Sequence, residues 1–228
     1  MKREEIEDEG GWMHISDMMS VLMMIFLFVS VVYMLDVRKE RDKMKSAAVA
    51  YNVLQRDLYV DLDREFKDDL RRWNAVIDKK ELSVRFMEPD VLFNVGSAEI
   101  KEEFKLILDD FFPRYIEVLR SKKYIDNIEE IRIEGHTSTD WAGESDLDEA
   151  YIKNMQLSQD RTRNVLKYSL SLIDGDRWWV KSKLTSNGLS SSKIVSDSMG
   201  VEDKALSRRV EFRVRTDAVN VIDVILNN

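Results

Sequence analysis

Asp17 stands directly before Met18–Leu35, a run without a single charged side chain, and Ser20 follows three positions later. A carboxylate at the mouth of an apolar segment can cap the start of a helix, as Asp commonly does. It can also lie inside the bilayer at a cost of about 2.5–3.5 kcal/mol, in which case it faces a partner protein or an ion path. Position alone leaves both open. A second group is Asn154, Ser158 and Arg161, which at 100° per residue share one face near the start of a helical stretch, where backbone N–H groups attract carboxylates. Arg161 can fork two hydrogen bonds to a carboxylate, or can pair with a surface acid such as Asp148 or Glu149. Other chemistry is thin. There is no Cys, which removes thiolate, disulfide and lipidated-cysteine roles, and the 2 His, at positions 14 and 136, cannot build a histidine-rich metal centre. No serine, second histidine or acid pattern surrounds His136, which reads as a structural residue at a strand end. The chain reads as a non-enzyme that needs no cofactor and no metal.

The elements that must position these residues are set out by glycine and proline. Gly10 and Gly11 are followed by neither residue type until Pro89, after which turns are frequent through Gly200. A long uninterrupted helical stretch therefore precedes a compact domain. The run Met18–Leu35 spans roughly 27 Å as a helix and is apolar on every face, which suits lipid rather than a one-sided core. An acidic preceding segment and the lack of a small-x-small cleavage site argue for a retained anchor over a signal peptide. Of the net charge of −8, −5 falls in residues 1–36 and −3 in 37–228, so the basic surface that nucleic-acid binding requires is missing. Lys2 and Arg3 precede the apolar run, whereas Arg38, Lys39, Arg41, Lys43 and Lys45 follow it. A count of basic residues taken alone would leave the C-terminal part in the cytoplasm.

Beyond the anchor, Leu54, Leu58, Leu62, Phe66, Leu70, Trp73 and Ile77 recur at steps of three and four. They predict one apolar stripe along a helical neck over 36–81, and we expect it to pair with a second copy rather than fold onto its own domain. The remainder reads as α+β. Strand-like runs lie at Leu82–Met87, Ile128–Glu134, Val180–Thr185 and Val210–Val214, with helical stretches near Lys101–Lys122 and Asp148–Leu172.

Three segments of this domain, in order, resemble the OmpA-like peptidoglycan-binding family: Ile131-Arg132-Ile133-Glu134-Gly135-His136-Thr137, then Asn154-Met155-Gln156-Leu157-Ser158-Gln159-Asp160-Arg161, then Ser207-Arg208-Arg209-Val210-Glu211. Phe93-Asn94-Val95-Gly96-Ser97-Ala98 fits the loop before that family's first helix. The pattern departs at Ser138, where the family carries Asp; Asp140 comes two places later. The resemblance implies peptidoglycan binding through Thr137, Asp140, Asn154, Leu157 and Arg161, with Arg161 on a carboxylate of a diaminopimelate-type stem peptide. The segment Trp12–Phe28 resembles the membrane signature of MotB-type stator subunits, and this tips Asp17 towards a proton-carrying role with Ser20 as the accompanying hydroxyl. Among that family the combination is most similar to the B subunits of Zorya anti-phage systems. The expected organisation is a cytoplasmic tail over 1–11, a transmembrane helix over 12–35, the dimerising neck over 36–81 and an OmpA-like domain over 82–228. The resemblance implies a proton-driven inner-membrane motor, with five copies of a MotA-like A subunit around a homodimer of this chain and the C-terminal domain gripping peptidoglycan in the periplasm. A flagellar-type stator subunit and a passive envelope anchor are the alternatives.

Overall fold

The computed structural model describes the backbone of residues 4–87, 89–175 and 177–217, and the side chains of these except 4–14, 89 and 90. The outermost part of the expected tail and positions 218–228 of the expected domain lie outside the described residues. The chain divides into two compact units, the first ending at Ala50 and the second beginning at Tyr51.

The first unit is helical. Helix α1, Glu4–Phe66, contains the apolar run, and it is the one helix among the described residues long and apolar enough to cross a membrane. Every large apolar side chain from Met18 to Leu35 is exposed, Phe28 and Met18 each at 71%. A face of that size has no partner among the described residues, which is the condition that lipid or a second protein satisfies.

The second unit packs helices on one side of a five-stranded sheet of order β1-β2-β5-β3-β4. The strands are β1 (Ala75–Asp78), β2 (Ser83–Phe86), β3 (Ile128–His136), β4 (Leu184–Gly188) and β5 (Arg209–Thr216), and only β3 with β4 run parallel. Two short helices, α2 (Pro89–Leu92) and α6 (Lys204–Ser207), lie in connections. The principal helices are α3 (Glu102–Leu119) and α4 (Leu147–Ser171), with α5 (Arg177–Lys183) after them. Alternation along β3 and β5 sends Ile131, Ile133, Val210, Phe212 and Val214 to the helical side, where they meet Phe104, Leu108, Phe111 and Tyr115 of α3. Phe111 is the hub of this core, with ring centroids 5.0 Å from Phe86, 5.0 Å from Tyr115 and 5.1 Å from both Phe66 and Phe212.

Three expectations are corrected here. The stripe of the neck does not await a second copy: Leu58, Leu62 and Phe66 are fully buried in the core of their own domain, together with Trp73. Ion pairs fix the same helix end, with Arg114 reaching Glu65 at 2.7 Å and Asp69 at 2.9 Å, and Tyr124 donating to Asp61 at 2.5 Å. Nor does the neck continue as a helix to residue 81. It stops at Phe66, turns back with Asn74 at φ 46°, and continues as β1, which pairs with β2. Asn tolerates the left-handed region better than most residues, so the reversal falls where the sequence permits it. Finally, Val180 lies in helix α5 and the strand begins only at Leu184. A parallel β3–β4 pair needs a crossover, and α4 with α5 supplies it, seating Trp179 and Val180 in the core.

Candidate functional site

The geometry of the site depends on how closely α4 lies on the sheet. A Cβ on Gly135 would come within 2.6 Å of Thr162 Cγ2 and 3.0 Å of the Ser158 carbonyl, and one on Gly188 would run into the backbone of Gln159. Only glycine permits this approach, which brings the middle of α4 against the ends of β3 and β4. Asn154, Ser158 and Arg161 therefore lie two turns or more inside a helix that starts at Leu147, and not near its N-terminus as expected from the sequence. Asp146 caps α4, its carboxylate accepting from the N–H groups of Asp148 at 2.9 Å and Glu149 at 3.3 Å.

Thr137, Asp140, Asn154, Leu157 and Arg161 come together in the walls of one cleft of about 220 Å³. Their parts differ. Asn154 is buried and donates to the carbonyls of Ser138 at 3.2 Å and Asp140 at 3.0 Å, so it shapes the loop rather than offering itself to a ligand. Ser158 likewise accepts from the Ser190 N–H at 3.1 Å. Leu157 is half-buried and forms part of the apolar wall. Arg161 donates through Nε to the Ser97 carbonyl at 2.8 Å and through Nη2 to the Asn94 carbonyl at 3.2 Å, and its guanidinium lies 4.8 Å from the centre of the Phe93 ring. Arg161 thus pins the 93–98 loop to α4. Burial, with the nearby charge of Arg208, brings its pKa down to about 10.

The Thr137 hydroxyl oxygen is buried without a hydrogen-bond partner among the described residues, and so is Arg208 Nε. Arg208 lines the same cleft and was not singled out from the sequence, although it stands in the closing Ser207-Arg208-Arg209-Val210-Glu211 segment. The signal available was alternation: Arg209 enters the sheet's polar face, which turns its neighbour the other way. Asp140, at the rim, lies 2.5 Å from Lys204. The loop carrying it is tied down by Thr139, whose hydroxyl donates to Glu202 at 2.6 Å.

His136 lies on the opposite, polar face of the sheet and does not reach the cleft. Donor atoms of Glu134, His136 and Glu211 lie within 4.8 Å of one another, all buried. The two carboxylates already face cations: Glu211 lies 2.7 Å from Arg209 and 3.1 Å from Arg85, and Glu134 lies 3.6 Å from Arg132 and Arg213. Each carboxylate is already compensated by two guanidinia, three of which also reach Asp78, Glu130 or Glu81, and the cluster reads as an ion-pair network. Burial would raise the Glu211 pKa, but Arg209, His136 and Arg85 outweigh it and hold the carboxyl at about 2. Burial pushes His136 below its ordinary value.

In the first unit, Asp17 is exposed and sits well inside α1, which begins at Glu4, so it is not the residue that caps this helix. Ser20, one turn later, donates back to the Ser16 carbonyl at 2.9 Å. Ser46 makes the same bond to the Asp42 carbonyl at 3.0 Å, so this is the ordinary back-bond of a serine inside a helix.

No family model matches the sequence. Zorya protein ZorB of Escherichia coli is 52% identical over 214 residues, which is 93% of this chain and 90% of that protein. Among solved structures, a MotB-like protein from Desulfovibrio vulgaris shares the fold, with TM-score 0.52 at 23% identity over 72% of this chain and 96% of its own. A cell wall anchor of the T6SS from Pseudomonas aeruginosa aligns with TM-score 0.46 at 23% identity, over 68% of this chain and 97% of its own.

Proposed function

The chain belongs to the ZorB family of Zorya proteins, and from that premise we propose that it is the peptidoglycan-anchored B subunit of a proton-driven rotary motor in the inner membrane that serves anti-phage defence. One observation carries the reading: an exposed carboxylate, Asp17, sits inside a helix at the opening of a segment whose large apolar side chains are all exposed. A tether has no use for such a group, and inserting it costs about 2.5–3.5 kcal/mol unless a partner receives it.

In this reading the N-terminus is cytoplasmic, α1 crosses the inner membrane once, and the second unit grips peptidoglycan from the periplasm. The excess of basic residues after the apolar run opposes that orientation, but the charge rule is a bias, and association with partner subunits overrides it. Five MotA-like A subunits surround two copies of this chain and shield both Asp17 carboxylates from lipid. Because the Leu58–Leu62–Phe66 stripe is occupied within one chain, the two copies pair through the membrane segment and the exposed face of α1 that carries Val53 and Val60. Asp17 takes up a proton from the outer side, becomes neutral, lets the A ring step past, and releases the proton inward. Each charge crossing the membrane potential supplies about 2.3 kcal/mol per 100 mV, so stepping needs neither nucleotide nor a catalytic residue. The domain holds the wall through Arg161 and Thr137 while Asn154 and Leu157 keep the cleft in shape.

The test is Asp17→Asn, which fixes the neutral state, co-expressed with the A subunit. Assembly should be unchanged and phage protection lost. Full protection by the Asn variant would overturn the motor reading and leave a passive anchor.

A further inference from the structure

The cleft is one-sided in charge. Arg161 and Arg208 both line it, and its one acidic lining residue, Asp140, is spoken for by Lys204 at 2.5 Å. Ser138, which stands where the resembled pattern has Asp, is buried and contributes its backbone carbonyl to Asn154. Two groups remain without partners among the described residues: the Thr137 hydroxyl and Arg208 Nε. All of these suit an anion. A ligand carboxylate would offset the mutual repulsion of two guanidinia, and a small side-chain adjustment would let the buried Thr137 hydroxyl and Arg208 Nε, both on residues that line the cleft, donate to it. A ligand ammonium would have to approach the same two guanidinia and displace Lys204 to reach an acid. It would exchange one exposed ion pair for another, which gains little.

We propose that this cleft recognises a carboxylate-bearing stem peptide through Arg161, Arg208 and Thr137 without reading a free amine, so that stems whose side-chain amine is acylated, as in a cross-link, bind as well as free ones. The inference rests on the wall-anchoring reading above. It makes Arg208 a ligand-contacting residue, and it assigns to the Asp140–Lys204 pair the work of hiding the one acid from the ligand. The consequence is a grip on mature, cross-linked wall as firm as on newly inserted material.

The test uses the full chain in detergent and three soluble muropeptides carrying diaminopimelate: one with its side-chain amine free, one with that amine acetylated, and one with the carboxylate on the same side-chain end amidated. Acetylation should change affinity by less than about threefold and amidation should weaken it by about tenfold or more. Arg208→Ala should weaken the free and acetylated ligands equally, by about tenfold. Lys204→Ala should unmask Asp140 and create a preference for the free amine that the wild type lacks. A tenfold loss on acetylation in the wild type overturns the inference, as does binding of sacculi with no muropeptide bound, and both leave the wall-anchoring reading standing. An unchanged ligand ratio in Lys204→Ala overturns the part given to the ion pair. Failure to bind sacculi at all removes the wall-anchoring reading itself.

Discussion

Arg161 has two jobs at once. Two of its nitrogens hold the Ser97 and Asn94 carbonyls, and its guanidinium stacks near Phe93, so its removal unsettles the cleft wall as well as the charge within it. Arg161→Ala should therefore weaken sacculus binding by about tenfold to a hundredfold and cost about 1–3 kcal/mol of stability, because two carbonyls lose a charged donor. Pull-down with insoluble sacculi and urea unfolding read the two effects separately, and unimpaired pull-down would remove Arg161 from the site. Glu211 contributes to acid stability, as do other carboxyls held below their ordinary values, among them Asp61, Glu130 and Glu134. The Glu211 carboxyl is held at about 2 against an ordinary 4.5, so the stability it contributes is complete above about pH 4.5 and is lost as pH falls towards 2. His136, whose pKa lies below its ordinary 6.5, acts in the same direction, because the unfolded chain takes up the proton first. Urea midpoints should fall between about pH 6 and pH 3, and Glu211→Gln should flatten that fall by at most about 3 kcal/mol. A Gln variant with the wild-type acid profile would free the network of this role.

At the scale of elements, the last turns of α1 belong to the domain's core and not to a stalk. Leu62→Ala should cost about 2–5 kcal/mol, since its side chain is fully buried. A fragment starting at residue 82 would lack Leu58, Leu62, Phe66, Trp73 and the whole of β1, and should fail to unfold cooperatively, whereas one starting at Tyr51 should do so. Cysteines at Val53 or Val60, which are 40% and 42% exposed, should cross-link two copies in membranes, and cysteines at Leu58 or Leu62 should not. How far the sequence reveals these elements follows from the same physics. The stripe was legible because its period is helical, but periodicity reports that a face is buried and not what buries it. Strand β1 was hidden for that reason: Trp73 and Ile77 continue the helical spacing by coincidence, while the break is made by backbone hydrogen bonds at Leu70 and Ala75 and by the left-handed Asn74. The cleft was legible where motifs carry it, at Thr137, Asn154, Leu157 and Arg161. At Arg208 the alternation beside Arg209 was a readable signal that was passed over, whereas Lys204 was illegible because its place depends on the long loop between β4 and β5.

At the scale of the whole molecule, the chain has two compact units with one candidate function each: a helix long and apolar enough to cross a membrane, with a carboxylate in it, and a domain with a cationic cleft. Among the described residues none that lines the cleft lies before Phe93, and Asp17 lies in the other unit, so damage to one function should leave the other measurable. Substitutions in separate units that share no site residue are expected to add in free energy. Asp17→Asn should therefore bind sacculi with wild-type affinity while giving no protection against phage. Arg161→Ala should keep proton passage through the assembled complex while losing its hold on the wall, so that protection falls because the anchored part slips. The double variant should be no worse in protection than Asp17→Asn alone, because a motor that takes no proton has no torque for the anchor to resist. Sacculus pull-down, proton flux in vesicles and plaque counts on the four strains separate these outcomes. Loss of sacculus binding in Asp17→Asn would show that the two units depend on each other, and loss of proton flux in Arg161→Ala would show that wall contact gates the channel.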